Sequence, residues 1–307
     1  MKKLRKTLRG VILLALIALA VYRFPEWKPI LFPEQEPAFV AIPEPTGELT
    51  VHYIDVGQAD CTLLECGGQT MLIDGGNVDD SSLVVSYLKN QGIEHLDYMV
   101  CTHAHEDHVG GLSGPLNTCT VGTVFAPVTE YESVAFENFI QYTHEQGVDV
   151  TVPEADSSFL LGEARVIVLG PRKTYEEPND TSIVLRVDHG ENSFLFTGDM
   201  ETAAEEDLLA AGCDLDVDVL KVGHHGSSTS SSYLFLREVM PEYGVISCGA
   251  ENTYGHPHEE VSSRLYDAGV TVYRTDEQGT VVATSDGTEI RFATEKNVPP
   301  TPGRGNE

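Results

Sequence analysis

The sequence predicts an α/β fold in which two sheets pack face to face and helices cover their outer sides. Strand hairpins alternate along the chain with strand–helix units, an order that favours these layers. Hydrophobic residues make up 41% of the 307 positions, which is enough for a large core. Ligand-bearing side chains at strand ends would then meet at one edge of the sandwich.

The first half begins with a predicted hairpin, because Gly67-Gly68 joins two runs of strand-forming residues. Strands are expected in this half at 49–55, 60–66, 69–74 and 121–125, with one more ending at Cys101, and helices at 81–91 and 132–146. Strands are expected in the second half at 164–169, 181–188, 193–198, 216–221, 243–248, 271–274 and 279–284, and helices at 201–211, 231–239 and 258–268.

Both ends of the chain differ in composition from this region. A basic start up to Arg9 precedes an uncharged run from Val11 to Tyr22, which predicts a signal peptide or an N-terminal membrane anchor in residues 1–23. Either interpretation places the rest outside the cytoplasm, secreted or held at the cell membrane. Prolines predict a linker over 24–47 and a disordered tail over 294–307, which leaves a globular domain over 48–293.

Acidic residues dominate the charge, with 48 Asp and Glu against 19 Lys and Arg and a formal net charge of -29. The chain has no basic stripe of the kind that binds nucleic acid, so contact with a polyanion would rely on metal ions and a few local cations. The six cysteines mostly fall within strand patterns and are predicted to be small core residues rather than disulfide partners.

A run of metal-binding side chains follows the strand that ends at Cys101. His103, His105, Asp107 and His108 fall within six positions, and a loop can turn ligands two residues apart towards one point. The pattern predicts a site for one metal ion and the beginning of a site for a second. A chance group of surface histidines is the alternative, which the preceding buried strand disfavours.

Two later strand ends carry further ligand chemistry. Asp199 follows an apolar strand and can bridge two ions, although it could instead cap the helix that begins near Glu201. His224 and His225 follow another strand. Since neighbouring residues cannot easily reach one ion from the same direction, one is expected to bind metal and the other to contact substrate or donate a proton.

The order of these motifs resembles the metallo-β-lactamase superfamily, in which a strand-end aspartate, here Asp74, precedes the histidine run. Four further strings are similar to the extracytoplasmic metallo-hydrolase domain of ComEC-type DNA-uptake proteins: 52–60, 179–182, 221–227 and 254–258. The resemblance covers about residues 49–284. Because the sequence contains no multi-span hydrophobic segment, the chain is expected to be a stand-alone relative of that domain and not the channel.

The resemblance implies a four-layer αββα sandwich that holds two divalent metal ions. The ligands that it implies are His103 and His105 for the first ion, Asp107, His108 and His225 for the second, and Asp199 as a bridge. Asp74 would brace the site from its strand end. Asp60 would support the cleft or form a simple turn.

One histidine of the superfamily pattern is missing. Only His144 and His189 lie in the interval, and a surface helix and a hairpin turn predict that both are exposed. The pair Asn179-Asp180 occupies that place, and Asp180 is expected to supply an oxygen there, directly or through water. A carboxylate in place of imidazole favours harder ions, so manganese becomes a candidate beside zinc.

Several polar residues are candidates for substrate contact. Ser227 and Ser228 would donate hydrogen bonds to an anion at a helix start, or would cap that helix. Gln58 and His256 are expected to line the cleft, whereas His258 would approach a phosphate or merely begin a helix.

The predicted reaction is hydrolysis by a water molecule that two metal ions activate as hydroxide. Asp107 and His224 are the expected catalytic residues, and His224 would stabilise the developing charge or protonate the leaving group. A phosphodiester suits this site best, so the expected substrate is DNA or a small phosphodiester. A lactam, lactone or ester hydrolase of the same fold and a non-catalytic surface binding protein are the alternatives. The chain is expected to be a monomer, with a DNA-uptake channel as a candidate partner.

Overall fold

Two mixed sheets lie face to face in the computed structural model, which describes residues 45–304. The first sheet has the strand order β15-β14-β1-β2-β3-β4-β5-β6, and the second has the order β13-β12-β11-β10-β9-β8-β7. The strands are β1 Leu49–Tyr53, β2 Thr62–Cys66, β3 Gln69–Ile73, β4 His95–Val100, β5 Thr120–Phe125, β6 Val150–Thr151, β7 Ser158–Leu161, β8 Ala164–Gly170, β9 Val184–His189, β10 Asn192–Phe196, β11 Val219–Lys221, β12 Tyr243–Ile246, β13 Thr271–Arg274, β14 Val281–Ser285 and β15 Ile290–Thr294.

Helices cover the outer face of each sheet. They are α1 Ser81–Asn90, α2 Glu106–Val109, α3 Ser113–Thr118, α4 Val134–Glu145, α5 Thr202–Ala211, α6 Tyr233–Val239, α7 Glu259–Asp267 and α8 Thr275–Gln278. Their buried apolar stripes form two outer cores, one of which contains Leu88 of α1 and Phe139 of α4. The other contains Leu208 of α5 and Leu265 of α7.

The space between the sheets is filled by inward-facing side chains of both. Val51 and Met71 of the first sheet share this central core with Phe194 and Val219 of the second. The alternation of a strand's side chains between its two faces explains why Cys61 and Cys66 lie in different cores. Layers of helix, sheet, sheet and helix confirm the predicted αββα sandwich.

The edge that carries the candidate site is set by parallel strands. β3 and β4 are parallel in the first sheet, and β10, β11 and β12 are parallel in the second. The carboxyl ends of parallel strands share one edge, so the loops after β3, β4, β10 and β11 can meet there. These loops carry Asp74, the run 103–108, Asp199 and the pair His224-His225.

The structure extends the predicted domain at its end. Strand β15 was not predicted, and Thr301 exchanges two backbone hydrogen bonds with Val272 of β13. Residues 294–304, for which a disordered tail was expected, therefore continue the domain. Strands β6 and β7 were also missed, since short partly exposed strands have little periodic signal.

The predicted signal or anchor in 1–23, and the linker over 24–47 except for its last three residues, lie outside the described residues. Within residues 45–304, no helix is long and apolar enough to cross a membrane. All six cysteines are free, and five of them are buried, as expected for core residues.

Candidate metal centre

Four side chains from three loops form what we call the second-ion group: Asp107, His108, Asp199 and His225. One nitrogen or oxygen of each lies within 4.8 Å of the others. His108 Nε2 is 3.3 Å from Asp199 Oδ1, and His225 Nε2 is 3.4 Å from both Asp107 Oδ2 and Asp199 Oδ2. These are the four residues that the sequence assigned to the second ion and to the bridge.

Both histidine rings of this group are fixed through their other nitrogen. His108 Nδ1 donates to Asp74 Oδ2 over 2.8 Å, and Asp74 also accepts from the backbone and hydroxyl of Thr102. His225 Nδ1 donates to the carbonyl oxygen of Ser247 over 2.9 Å. Such contacts set the tautomer and orientation of metal-binding imidazoles, so each Nε2 is left as the atom that faces the group.

Three of the atoms that would hold an ion have no hydrogen-bond partner within the described residues. His108 Nε2, His225 Nε2 and Asp199 Oδ1 are all buried and unpaired. Buried polar atoms normally find a partner, because an unpaired one costs about 1–3 kcal/mol. Two imidazole nitrogens and carboxylate oxygens form a typical ligand set for a divalent ion, so these residues fit the metal that the sequence predicts.

The turn that carries His224 and His225 has an unusual backbone. Both residues have positive φ, at 49° and 53°, and Gly226 follows at 81°. A Cβ atom on Gly226 would approach Pro257 to 2.6 Å, so glycine is required there. Left-handed conformations cost about 1–3 kcal/mol each for ordinary residues and concentrate at functional sites. This turn is what points two adjacent histidines to one cleft.

His103 and His105 form what we call the first-ion pair. His103 is buried, and its Nε2 lies 3.1 Å from Nδ1 of His105. The Thr102 hydroxyl donates to Asp74, so it must accept from His103 Nδ1, 3.3 Å away. That contact leaves the Nε2 lone pair of His103 directed to His105. The pair is joined to the second-ion group by ring contact between His103 and His108, whose centroids are 4.1 Å apart.

A buried carboxylate layer lies beneath the second-ion group. Asp60 and Asp74 come within ligand distance of His108, but Lys221 Nζ lies 2.6 Å from Asp60 Oδ2. Lys221 is 2% exposed and pairs with a carboxylate as the sequence predicted. Asp60 Oδ1 is also 3.3 Å from His225 Nδ1. Asp60 and Asp74 therefore support His108 and His225, and Lys221 balances the charge of Asp60.

The charges of this cluster shift its titrations strongly. Burial alone would lower the pKa of His108, but Asp199, Asp74 and Asp107 raise it well above its usual range. Burial alone would raise the pKa of Asp107, but the neighbouring His108 and His225 lower it to about 2. The pKa of His103 is well below the usual value, because burial and then the positive charge of His108 disfavour its cation.

The group opens into a cavity of about 350 Å³. A larger cavity of about 690 Å³ runs along α4, but none of the metal-ligand clusters found among residues 45–304 lines it. Its smaller counterpart is lined by Gln58, His105, Glu106, Asp107, Asn179, Asp199, His224, His225, Tyr254 and His256. Predicted cleft residues Gln58, His224 and His256 are thus brought to the ligands.

Contacts on the cavity wall fix the polar donors. His224 Nδ1 lies 3.3 Å from Glu201 Oε1, and its Nε2 lies 3.7 Å from Asp199 Oδ2. Gln58 Oε1 accepts from the backbone of Gly249, which leaves its amide nitrogen 3.3 Å from His256 Nδ1. An imidazole that accepts at Nδ1 carries its proton on Nε2 when neutral.

Asp180 is not brought to the ligand cluster. Its Oδ1 accepts from the backbone nitrogen of Glu201 over 3.0 Å, just before α5 begins. A carboxylate at a helix N-terminus satisfies free N–H groups and interacts favourably with the helix dipole. Oδ1 of Asp180 therefore serves this helix start, and Asp180 is not a member of the ligand clusters found among the described residues.

Ser227 and Ser228 are not brought to the cavity either. Ser227 Oγ contacts Thr229 Oγ1 at 3.0 Å, and the backbone nitrogen of Ser228 donates to His258 Nδ1. Ser232 caps the following helix, so neither serine does. His258 precedes α7 as the residue that begins it, which was the simpler of its two predicted roles.

The two intervening histidines differ from each other. His144 is exposed near the end of α4, as expected. The prediction that His189 is exposed was wrong, since this residue is fully buried and its Nδ1 contacts Ser285 Oγ at 2.9 Å. Neither residue lines the cavity of the ligand cluster.

Sequence reasoning missed three residues that shape the site, namely Glu201, Ser247 and Tyr254, and it placed Asn179 in the position of the missing histidine without giving it a role. Ser247 acts through a backbone carbonyl, which no side-chain pattern can reveal. Asn179 and Tyr254 fall within strings that the sequence singled out, so their position next to Asp180 and His256 was the available signal.

This arrangement defines a metal-dependent hydrolase fold with candidate ligands for divalent ions. The metallo-beta-lactamase superfamily model matches residues 54–250, and the chain belongs to this superfamily. The result confirms the resemblance seen in the sequence.

Curated relatives point to a narrower group. The chain is 29% identical over 255 residues to ComE operon protein 3 of Bacillus subtilis, covering 77% of this chain and 33% of that protein. It is 35% identical over 241 residues to competence protein ComA of Neisseria gonorrhoeae, covering 78% and 32%. The chain thus spans about a third of the length of these relatives.

Among solved structures, the metallo-beta-lactamase fold protein YhfI of Bacillus subtilis is similar at a TM-score of 0.52 and 14% identity, covering 78% of this chain and 99% of that one. At this identity the likeness shows the fold alone.

Proposed function

We propose that this chain is a metal-dependent phosphodiesterase, specifically a nuclease, that acts outside the cytoplasm. The observation that carries the proposal is the convergence of the unpaired atoms of His108, His225 and Asp199 beside one open cavity. Two divalent ions bound there and at the first-ion pair would supply an activated water and positive charge for a phosphodiester.

The chain's own residues would position the substrate and move a proton. His224 is oriented by Glu201 at Nδ1, which leaves Nε2 on the cavity side to donate a proton to the leaving oxygen. Gln58 fixes His256 so that its Nε2–H can donate to a phosphate oxygen. The buried Lys221 has no such role, because its ammonium is engaged by Asp60.

A nucleic-acid substrate is supported by the relatives, two of which are named for competence or the ComE operon. The net charge of -29 opposes binding of a polyanion, so divalent ions must also bridge protein and DNA. We expect steep dependence of DNA binding on divalent ion concentration, and tight binding in chelator at low salt would contradict this.

A three-substrate assay tests the reaction. The full chain, loaded with manganese or zinc, is offered single-stranded DNA, bis-p-nitrophenyl phosphate and a chromogenic β-lactam. Cleavage of the first two supports the proposal, whereas turnover of the lactam alone identifies the other hydrolase class. No turnover by metal-loaded protein identifies a non-catalytic binding protein.

The site of action is a second part of the proposal. Residues 1–23 would export or anchor the chain, which would act as a monomer next to a DNA-uptake channel. Fusion to a reporter enzyme that is active only outside the cytoplasm tests the location, and light scattering tests the oligomeric state. A fusion whose reporter stays inactive in intact cells would overturn the proposed location.

A further inference from the structure

Asn179 lies close to both ligand groups and carries an uncharged side-chain amide. The oxygen of this amide has no hydrogen-bond partner among the described residues. The residue is 7% exposed, and its Oδ1 is buried with no hydrogen-bond partner in the described part of the chain. It lines the same cavity as His105 and Asp199. An unpaired buried amide oxygen beside metal ligands requires an explanation.

The orientation of this amide is fixed by a neighbouring acid. Asn179 Nδ2 donates to Glu201 Oε1 over 3.2 Å. A carboxylate offers only acceptors, so the amide group that faces it must be NH₂ whichever way the two atoms are assigned. Glu201 Oε1 also accepts from Thr229 Oγ1, which holds it in place. The carbonyl oxygen of Asn179 must therefore face away from Glu201.

Backbone contacts place the Asn179 turn between the ligands. Ile183 donates its N–H to the carbonyl oxygen of Thr102, the residue before His103. One residue earlier, Ser182 Oγ accepts from the backbone nitrogen of Asp199 over 3.1 Å. The turn Asn179–Thr181 is thus tied to the first-ion pair on one side and to the bridging carboxylate on the other.

The neighbouring carboxylate is engaged elsewhere through one of its oxygens. Oδ1 of Asp180 accepts from the backbone at the start of α5, as described above. Of the two adjacent residues, Asn179 alone has a buried side-chain oxygen without a hydrogen-bond partner in the described part of the chain.

We infer that the carboxamide oxygen of Asn179 binds the first metal ion directly, together with His103, His105 and Asp199, in the place of the missing histidine. The inference rests on the proposed function only in requiring that metal ions occupy the site. A neutral oxygen donor in place of imidazole suits an ion that accepts many oxygen ligands, so the first site should favour manganese over zinc more than an all-histidine site would.

Crystals of the full chain loaded with manganese test the contact directly. We expect an anomalous difference peak within about 2.5 Å of Asn179 Oδ1, the range of metal–oxygen bonds. A peak at the first-ion pair with Oδ1 further away, or with water between them, would overturn the inference.

Metal titration of two variants separates Asn179 from its neighbour. Asn179→Ala should weaken manganese binding at the first site by about tenfold or more, by analogy with losses at supporting residues, which reach 10–100-fold. The matched variant Asp180→Asn keeps an acceptor oxygen for α5 and should bind both ions as the unmodified chain does. Equal losses in both variants, or none in Asn179→Ala, would contradict the inference. Circular dichroism confirms that each variant is folded.

These measurements also separate this inference from the proposed reaction. If metal binding depends on Asn179 but no phosphodiester is cleaved, the proposed function fails and the ligand assignment stands. If phosphodiesters are cleaved while Asn179→Ala retains both ions at unchanged affinity, the assignment fails and the function stands.

Discussion

The two ligand groups differ in how firmly the fold holds them. In the second-ion group, His108 and His225 are each fixed through Nδ1, by Asp74 and by the Ser247 carbonyl. In the first-ion pair, Nε2 of His103 lies 3.1 Å from Nδ1 of His105. His105 is only partly buried, and Nδ1 of His103 is held by a longer contact of 3.3 Å. The fold therefore holds the side chains of the second-ion group in position. The side chains of the first-ion pair are held less firmly and would depend more on a bound ion for their arrangement.

Asp199→Ala should have the largest effect, because this carboxylate is the side chain that we assign to both metal ions. We expect loss of both ions and a fall in phosphodiester cleavage of more than about 10³-fold, above the 10²–10³-fold typical of removing one stabilising donor. Metal analysis and initial rates measure both effects. Asp207→Ala, which removes a surface carboxylate paired with Lys173, is the control. Retention of one full equivalent of metal would show that Asp199 does not bridge.

Lys221→Met tests the layer on which the second-ion group rests. Lys221 and Lys173 each lie 2.6 Å from a carboxylate, but the first pair is buried and the second is exposed. Removing the cation of a buried pair leaves an uncompensated charge, so we expect about 3 kcal/mol lower free energy of unfolding for Lys221→Met. Lys173→Met should cost under about 1 kcal/mol. Urea unfolding measures both, and equal losses would refute the distinction.

Metal removal should destabilise the protein mainly through the second-ion group. Free metal at 100 times its Kd adds about 2.7 kcal/mol to the free energy of unfolding. For a chain of this size, this corresponds to about 4–5 °C in Tm. Chelation should reverse that shift in the unmodified chain, and His105→Ala should keep most of it because the second-ion group is intact. A shift that His105→Ala abolishes would reverse the ranking of the two groups.

The resemblance named the four members of the second-ion group, whereas the residue pattern alone left open which of His224 and His225 binds metal. The two facing sheets followed from the order of hairpins and strand–helix units, and the four-layer form followed from the resemblance. The contact made by the Ser247 carbonyl could not be predicted, because this group is identical to any other backbone carbonyl. Asn179 stood in a string that the sequence singled out, but a carboxylate beside it was the more obvious ligand.

The position of Asp180 at a helix start has a different physical cause. A carboxylate is the more obvious metal ligand, but the start of α5 offers unpaired N–H groups that compete for it. The burial of His189 was not predicted, because its hairpin packs against β14 and its ring contacts Ser285 Oγ there. Both outcomes depend on neighbours that are distant in sequence.

The smallest effect, and the sharpest test of the comparison, is expected from Asp74→Asn. An amide can accept from only one side, so either His108 Nδ1 or the Thr102 backbone loses its acceptor, and the ring loses a negative partner. We expect the Kd of the second ion to rise about tenfold, the lower end for such supporting residues, with the first ion affected less.

Asp97→Asn, which alters a carboxylate hydrogen-bonded to the backbone of Thr70 in the same sheet, is the matched control. Isothermal titration with manganese resolves the two ions. If Asp74→Asn weakens the first ion as much as the second, the rings of both groups are fixed by one shared network, because Asp74 accepts from His108 Nδ1 and from the Thr102 hydroxyl, which in turn accepts from His103 Nδ1.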